Sequence, residues 1–369
     1  MVLKGMFRVV AVGTISLAMF AQNAPGTAPI PTDPLEIATG QIRYPGGRAK
    51  RAAVLRLLGR ARDNYGLRSA GRGYDLRVSF TVNSGGQTAY DGDWEMEDLF
   101  DPKQGLRWTA KTANYSITRI SSNGMLYGDD TASYVPLRVH EARAALFDPI
   151  PASGNVAGAS IRTSKSVFNG VQLTCILVSG SGNAGNASKG RLWEESEDCV
   201  DPKSGLLRLH SQVPGRYYAY DYSNSVQLAG RVLPGKVIVT EAGRTVTEIS
   251  VESLRELPAA DPGLFVPSDE MKARGPAIVL AAAQKISVVS SQGAMAPGAT
   301  AHAVCVFGLV TPLGELVEAH SLQPSDPNSQ LAVEAAKQMN FSAPAPPGAL
   351  EVRPQQHFAF IIEKFVSSP

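Results

Sequence analysis

Tyr74-Asp-Leu-Arg-Val-Ser-Phe-Thr-Val82 is the stretch that decides the fold. Apolar and polar residues alternate without a break, so one face of an extended chain is apolar and the other wet, which is the period of a β-strand and not of a helix. Asn83-Ser-Gly-Gly86 follows as a turn, and 88–99 starts the next extended run. Working outward, the same grammar repeats at 106–113, 115–120, 125–127, 160–168, 171–179, 191–200, 206–213, 217–222, 236–240 and 245–254. Turn signals recur about every eight to twelve residues, as in a large antiparallel sheet. Asp101-Pro-Lys-Gln-Gly-Leu106 is echoed by Asp201-Pro-Lys-Ser-Gly-Leu206, the same solution to a tight turn,.

Two helical patterns interrupt the strands. Residues 48–65 place Val54, Leu58, Ala61 and Tyr65 on one face, while Arg48, Arg51, Arg56, Arg60 and Arg62 make the rest basic,. A second helix is expected over 139–147, ended by Asp148-Pro149. The basic helix either touches anionic lipid or is simply the solvated face of a helix packed on the sheet.

With 369 residues there is room for two domains, and 35 Gly with 25 Pro favour turns and short strands,. A net charge of +2 gives no reason to expect a nucleic acid as general partner,. Lys4 and Arg8 precede the apolar run 9–20, and small residues follow, which reads as a secretory signal over 1–21,. The run is shorter than the ~20 residues of a membrane span, so none is expected. Residues 22–45 are then a Pro/Gly/Thr-rich linker, and the mature protein is expected in the periplasm or secreted.

Export gives the cysteines meaning. Cys175 and Cys199 lie in two strand-like runs joined by a Gly/Ser/Asn loop, so neighbouring strands can bring the sulfurs together in an oxidising compartment,. Two buried thiols are the alternative. Cys305 reads as a small core residue.

The C-terminal segment has its own grammar. Ala301, Ala303, Cys305, Phe307 and Leu309 share one strand face, Thr311-Pro-Leu-Gly314 turns the chain, and 315–322 returns. Asp326 before Pro327 is a helix start, with Leu331, Ala335 and Met339 as the helical stripe,. A Pro-rich loop and a long strand close the chain, with Phe358, Phe360 and Ile362 on one side. This β-β-α-β order, carried by Leu316-Val-Glu-Ala319, 332–337, Phe341-Ser-Ala-Pro344, Gly348 and the final strand, resembles the C-terminal domain of TonB. The resemblance implies a partner-docking module over 301–369 whose edge near Gln356, Phe358, Phe360 and Ile362 accepts a strand from an outer-membrane or envelope protein. Without an evident anchor or long Pro-rich spacer, an energy-transducing role is the least favoured reading.

The larger part, 46–267, resembles the LolA-like proteins, on Val54-Leu-Arg-Leu-Leu-Gly-Arg-Ala61 with 76–82, on 106–120 with Asn123-Gly124, and on Cys199-Val-Asp-Pro-Lys-Ser-Gly-Leu-Leu207. That resemblance implies a curved, half-barrel-like sheet around helices that holds a lipid or acyl chain, with Phe80, Trp94, Trp108 and Tyr115 lining the site. The competing reading is that these aromatics fill a closed core in a structural envelope protein. Residues 268–300 read as a linker between the two parts.

No chemistry emerges from the motifs. His140, His210, His302, His320 and His357 form no metal-ligand spacing, there is no G-x-S-x-G elbow, and 182–190 lacks the ending of a phosphate loop,. The expectation is therefore an α+β, mainly antiparallel, exported binding protein with no catalytic residue, cofactor or metal.

Overall fold

The computed structural model describes residues 42–129, 132–147, 149–150, 156, 158–180, 190–290, 300–341 and 355–367. The expected signal segment, most of the following linker, the loop between the two cysteine strands, and Pro344 with Gly348 lie outside the described residues, as do the side chains at 289–290, 300–302 and 364–367.

The alternation that starts at Tyr74 builds one open sheet of twelve antiparallel strands. In chain order these are β1 (Tyr74–Val82), β2 (Gly92–Asp101), β3 (Gly105–Thr112), β4 (Tyr115–Ser122), β5 (Met125–Gly128), β6 (Ser160–Phe168), β7 (Val171–Ser179), β8 (Ser196–Val200), β9 (Leu207–Ser211), β10 (Arg216–Asp221), β13 (Lys236–Glu241) and β14 (Arg244–Glu256). Across the sheet they run β5-β4-β3-β2-β1-β14-β13-β10-β9-β8-β7-β6, so β5 and β6 are the edge strands, bridged only by Pro276 and Arg43 among the described residues, and the sheet is not a closed barrel. β11 (Val226–Leu228) and β12 (Arg231–Leu233) form a separate hairpin whose Leu228 and Leu233 join the main core.

The two Asp-Pro-Lys turns fold alike. Asp101 accepts hydrogen bonds from the backbone N–H of Lys103 (2.7 Å) and Gln104 (3.0 Å), and Asp201 from the N–H of Lys203 (2.9 Å) and the Ser204 hydroxyl (2.6 Å). Each turn closes on a glycine in the left-handed region, Gly105 and Gly205,.

Helix α1 (Gly47–Asn64) lays Leu57, Leu58 and Ala61 on the inner face of the sheet and leaves Arg48, Lys50, Arg56 and Arg60 exposed. Helix α2 (Leu137–Phe147) is buried on nearly every side: Val139, Ala142, Ala145 and Leu146 enter the main core, and Leu137 enters a second cluster with Phe307, Leu309, Phe358 and Phe360. It is held between the large sheet and the C-terminal module.

That module contains β17 (Thr300–Val310), β18 (Leu316–Ser321), α4 (Ser329–Lys337) and β19 (Gln355–Ser367), the strand-strand-helix-strand order expected from the sequence. β17 lies between β18 and β19. Three corrections follow from it. The stretch expected as a linker forms α3 (Asp269–Arg274), β15 (Val279–Leu280) and β16 (Gln284–Ser290); both strands pair in parallel with β19, because Ile286 and Val288 complete the apolar cluster under α4. Both faces of β17 and β19 are covered, one set (Val304, Val306, Ala359, Ile361) by α4 and the other (Phe307, Leu309, Phe358, Phe360) by α2 and its surroundings. Finally, α4 turns Ala332 and Ala336 inward and leaves Leu331 exposed, since small side chains let the helix sit close on the sheet.

Candidate functional site

The strand parity that puts Tyr74, Leu76, Val78, Phe80 and Val82 inward also fixes which residues of the other strands face α1 and α2. Phe80 stands opposite Trp94 and stacks on it at 5.4 Å between ring centroids. Trp94 and Tyr115 both touch Tyr90, at 6.5 and 5.5 Å, and each other at 5.8 Å. Phe80, Trp94 and Tyr115 therefore belong to a packed aromatic cluster of the main core. Of the four aromatics read from the sequence, Trp108 lines the cavity described next.

That space is a cavity of about 650 Å³ between the large sheet, α2 and the C-terminal module. Its apolar wall includes Leu106, Trp108, Leu126, Phe147, Phe358 and the stretch 278–283 that leads into β16. Its polar lining is cationic or neutral: Arg68, His140, Arg143, His210, Gln212 and Lys285, with no Asp or Glu among the described lining residues. The volume lies inside the range of about 300–1,000 Å³ common for small-molecule sites.

The cationic groups differ in how they are held. Arg143 lies over the Trp108 ring at 4.1 Å and donates to Asp98 at 2.7 Å, and Asp98 also accepts from the Tyr74 hydroxyl at 2.8 Å. His210 pairs with buried Asp198 at 2.8 Å. His140 meets the Gln356 side-chain oxygen at 3.3 Å, and burial pulls its pKa down to about 4,. Lys285 on β16 donates to two backbone carbonyls, Glu194 at 2.8 Å and Gln212 at 2.6 Å, and no carboxylate of the described residues is within ion-pair distance. Burial, reinforced by the Arg191 guanidinium, lowers its pKa to about 7,.

Next to the cavity, a buried charge cluster joins the module to the sheet. Glu241 on β13 accepts from Arg138 (2.8 Å), from Arg216 (3.0 Å) and pairs with His320 of β18 (2.6 Å). Glu141 of α2 accepts from Arg138 (3.0 Å), from Arg216 and from the Thr247 hydroxyl (2.9 Å). Burial alone pushes the Glu241 carboxyl upward, but Arg138 and His320 outweigh it and hold it well below the usual carboxylate range,. The Arg216 guanidinium also lies over the Phe307 ring of β17 at 4.2 Å. Gln356 clasps the Val135 backbone, accepting from its N–H (2.9 Å) and donating to its carbonyl (3.2 Å). Glu318 accepts from the N–H of Leu137 at the start of α2 (3.0 Å).

The strand edge expected to take a partner is not open. Gln356, Phe358, Phe360 and Ile362 lie on β19, which pairs with β17 on one side and with β15 and β16 on the other, and all four are buried. The chain itself occupies that edge, because β16 carries enough apolar side chains to serve as a sheet strand. Cys175 and Cys199, opposite each other on β7 and β8, form a disulfide, with Phe168, Leu173, Leu209 and Ala219 packed around it. Burial pushes the remaining Cys305 thiol up to about 12, so it is no nucleophile,. Sequence reading missed Lys285, His140, Arg143 and the Glu241 cluster. The available signal was charge at inward strand parity, as at Asp98 and Glu241, and four ionisable residues in the short helix Leu137–Phe147.

No family model matches the chain, and no curated protein matches it. Among solved structures, a LolA superfamily protein from Nitrosomonas europaea is similar over 57% of this chain and 96% of its own, at 9% identity and a TM-score of 0.36. A Desulfovibrio piger protein of a family of unknown function is similar over 58% and 96%, at 10% identity and 0.37. An outer membrane lipoprotein-sorting protein domain from Vibrio parahaemolyticus is similar over 57% and 95%, at 10% identity and 0.33.

Proposed function

We propose that this is an exported, non-enzymatic binding protein of the cell envelope that takes an amphiphilic, lipid-like ligand into the cavity between the large sheet and its C-terminal module. The observation that carries the reading is the cavity itself, about 650 Å³ with an apolar wall and a one-signed polar lining. The Cys175–Cys199 bridge fits an oxidising compartment such as the periplasm,. No helix of the described residues is long and apolar enough to cross a membrane. The cations near the cavity are mostly tied to carboxylates and carbonyls, an arrangement suited to holding a ligand more than to transforming one.

In this reading the C-terminal module is the inner wall of the site. Its β19 supplies Phe358, β16 supplies Lys285, and the contacts of His320, Glu318 and Gln356 fix it to the sheet and α2. A TonB-like docking role would need β16 to leave β19 before a partner strand could add there,. The test is purification under native conditions followed by mass spectrometry of the extracted organic phase, together with titration of a fluorescent lipid probe. A co-purifying lipid or saturable probe binding is expected. Neither, in a folded protein, would leave the closed-core structural reading in its place.

A further inference from the structure

We propose that Lys285 is the headgroup anchor of this cavity, and that the ligand is a single-chain amphiphile ending in an anionic group, a carboxylate or a phosphate monoester. The inference rests on the amphiphile reading above and adds its chemical class.

The geometry sets Lys285 apart from the other cations of the lining. Arg143 donates to the buried carboxylate of Asp98, and His210 is hydrogen-bonded to the buried carboxylate of Asp198. Lys285 has two backbone carbonyls, which use two of the three N–H donors of an ammonium and leave the charge without a counter-ion,. A part-buried amine so placed on the wall of the cavity is a site that an entering anion completes,. The lining also holds Leu106, Leu126 and Phe147, apolar side chains against which an alkyl chain can lie. Volume limits the ligand to drug-like size, which suits one chain and not two.

Other ionisable groups near the amine do not supply the missing charge. Arg191 opposes the charged form, Glu194 and Glu195 favour it but neither carboxylate forms an ion pair with it among the described residues, and burial pushes the Cys305 thiol on β17 up to about 12. From α2, Arg143 is cationic and His140 is neutral above about pH 4, and from β9 His210 is tied to Asp198. The free amine, with its pKa near 7, therefore takes up a proton when an anion binds at higher pH,. Affinity for an anionic ligand should be flat below about pH 7 and fall by up to about tenfold per pH unit above it.

The experiment titrates the full-length exported protein with palmitate, hexadecan-1-ol and 1-palmitoyl lysophosphatidate, each below its aggregation concentration, by calorimetry at pH 6 and pH 8.5. Palmitate or lysophosphatidate should bind about ten- to hundredfold more tightly than the alcohol at pH 6, the usual size of a hydrogen bond to a charged group. Whichever anion wins names the headgroup. Lys285→Met should erase that preference, and Lys285→Arg should keep the preference but lose the pH dependence. Should Lys285→Met fail to fold, the wild-type pH profile and Lys285→Arg still decide. Equal binding of acid and alcohol, with no effect of Lys285→Met, would overturn the anchor and leave the amphiphile site standing. Failure of all three probes to bind would remove the site and the anchor together.

Discussion

The two halves of the inner sheet face are built on opposite terms. On β1 to β4, inward positions are mostly apolar, Phe80, Trp94, Met96, Ala110 and Ile117, which pack on each other and on Tyr90 within one run of chain; Asp98 and Arg119 are the buried charges among them. On β8, β9, β10 and β13, the same parity holds Asp198, His210, Arg216 and Glu241. Asp198 and His210 answer each other across neighbouring strands, but Arg216 and Glu241 also draw on groups far away in sequence: Arg138 is 103 residues from Glu241, and His320 is 79. The aromatic half can close as its hairpins form. The charged half is complete only when α2 and the C-terminal module are in place, because a buried ion without its partner costs more than it returns.

The most direct way to break this comparison is Glu241→Ala. It strands Arg138 and Arg216 with one carboxylate between them, and about 3–5 kcal/mol of stability should be lost in urea unfolding,. Hydrogen exchange should rise in β17 to β19 while β1 to β4 keep their protection. A loss under about 1 kcal/mol with unchanged exchange would mean that the cluster does not hold the module.

Trp94→Ala attacks the other half. About 3 kcal/mol should be lost, near the low end for buried tryptophan, because Tyr90 and Tyr115 border the vacated space and can move into it,. Here exchange should rise in β1 to β3 and not in β17 to β19. If the C-terminal module loosens as much as the sheet, the two halves are one cooperative unit and the distinction falls.

The disulfide lies at the opposite strand parity from both halves, tying β7 to β8 within the patch formed by Phe168, Leu173, Leu209 and Ala219. Replacing Cys175 and Cys199 together by serine should cost about 3 kcal/mol, given a sequence separation of 24,. Thermal unfolding under non-reducing conditions measures it, and an unchanged midpoint would mean that the bridge does not constrain the unfolded chain.

What the sequence made legible follows the same division. Alternation from Tyr74 to Val82 and the turns around Asp101 and Asp201 announce the large sheet, because strand parity and turn chemistry are local. The facing cysteines could be read for the same reason. The cavity could not, since its wall is contributed by β3, α2, β9, β16 and β19, and no local pattern records that meeting. The role of Trp108 against that of Trp94 was equally hidden. Both sit inward on adjacent strands, and only Arg143, brought by α2, and the stretch 278–283 turn one of them into a wall. β16 lies in a stretch that reads as linker because its apolar residues make sense only once β19 lies beside them.

The smallest expected effect uses pH to separate the two kinds of buried group at the module boundary. His140 keeps a pKa near 4 in the folded chain against an ordinary value of 6.5, because burial disfavours its charged form. The unfolded chain then binds a proton that the folded one refuses, so stability falls as pH drops through 6.5 toward 4. Between pH 7 and 5 the loss should be about 2 kcal/mol. Glu241 works in a different window: its depressed carboxyl contributes above the ordinary value of 4.5, and that contribution disappears only as pH falls through its lower folded value,. Urea unfolding of the wild type and of His140→Gln at pH 7 and pH 5 therefore isolates the histidine. The variant should lose little over that interval; a loss equal to the wild type's would place the acid sensitivity elsewhere,.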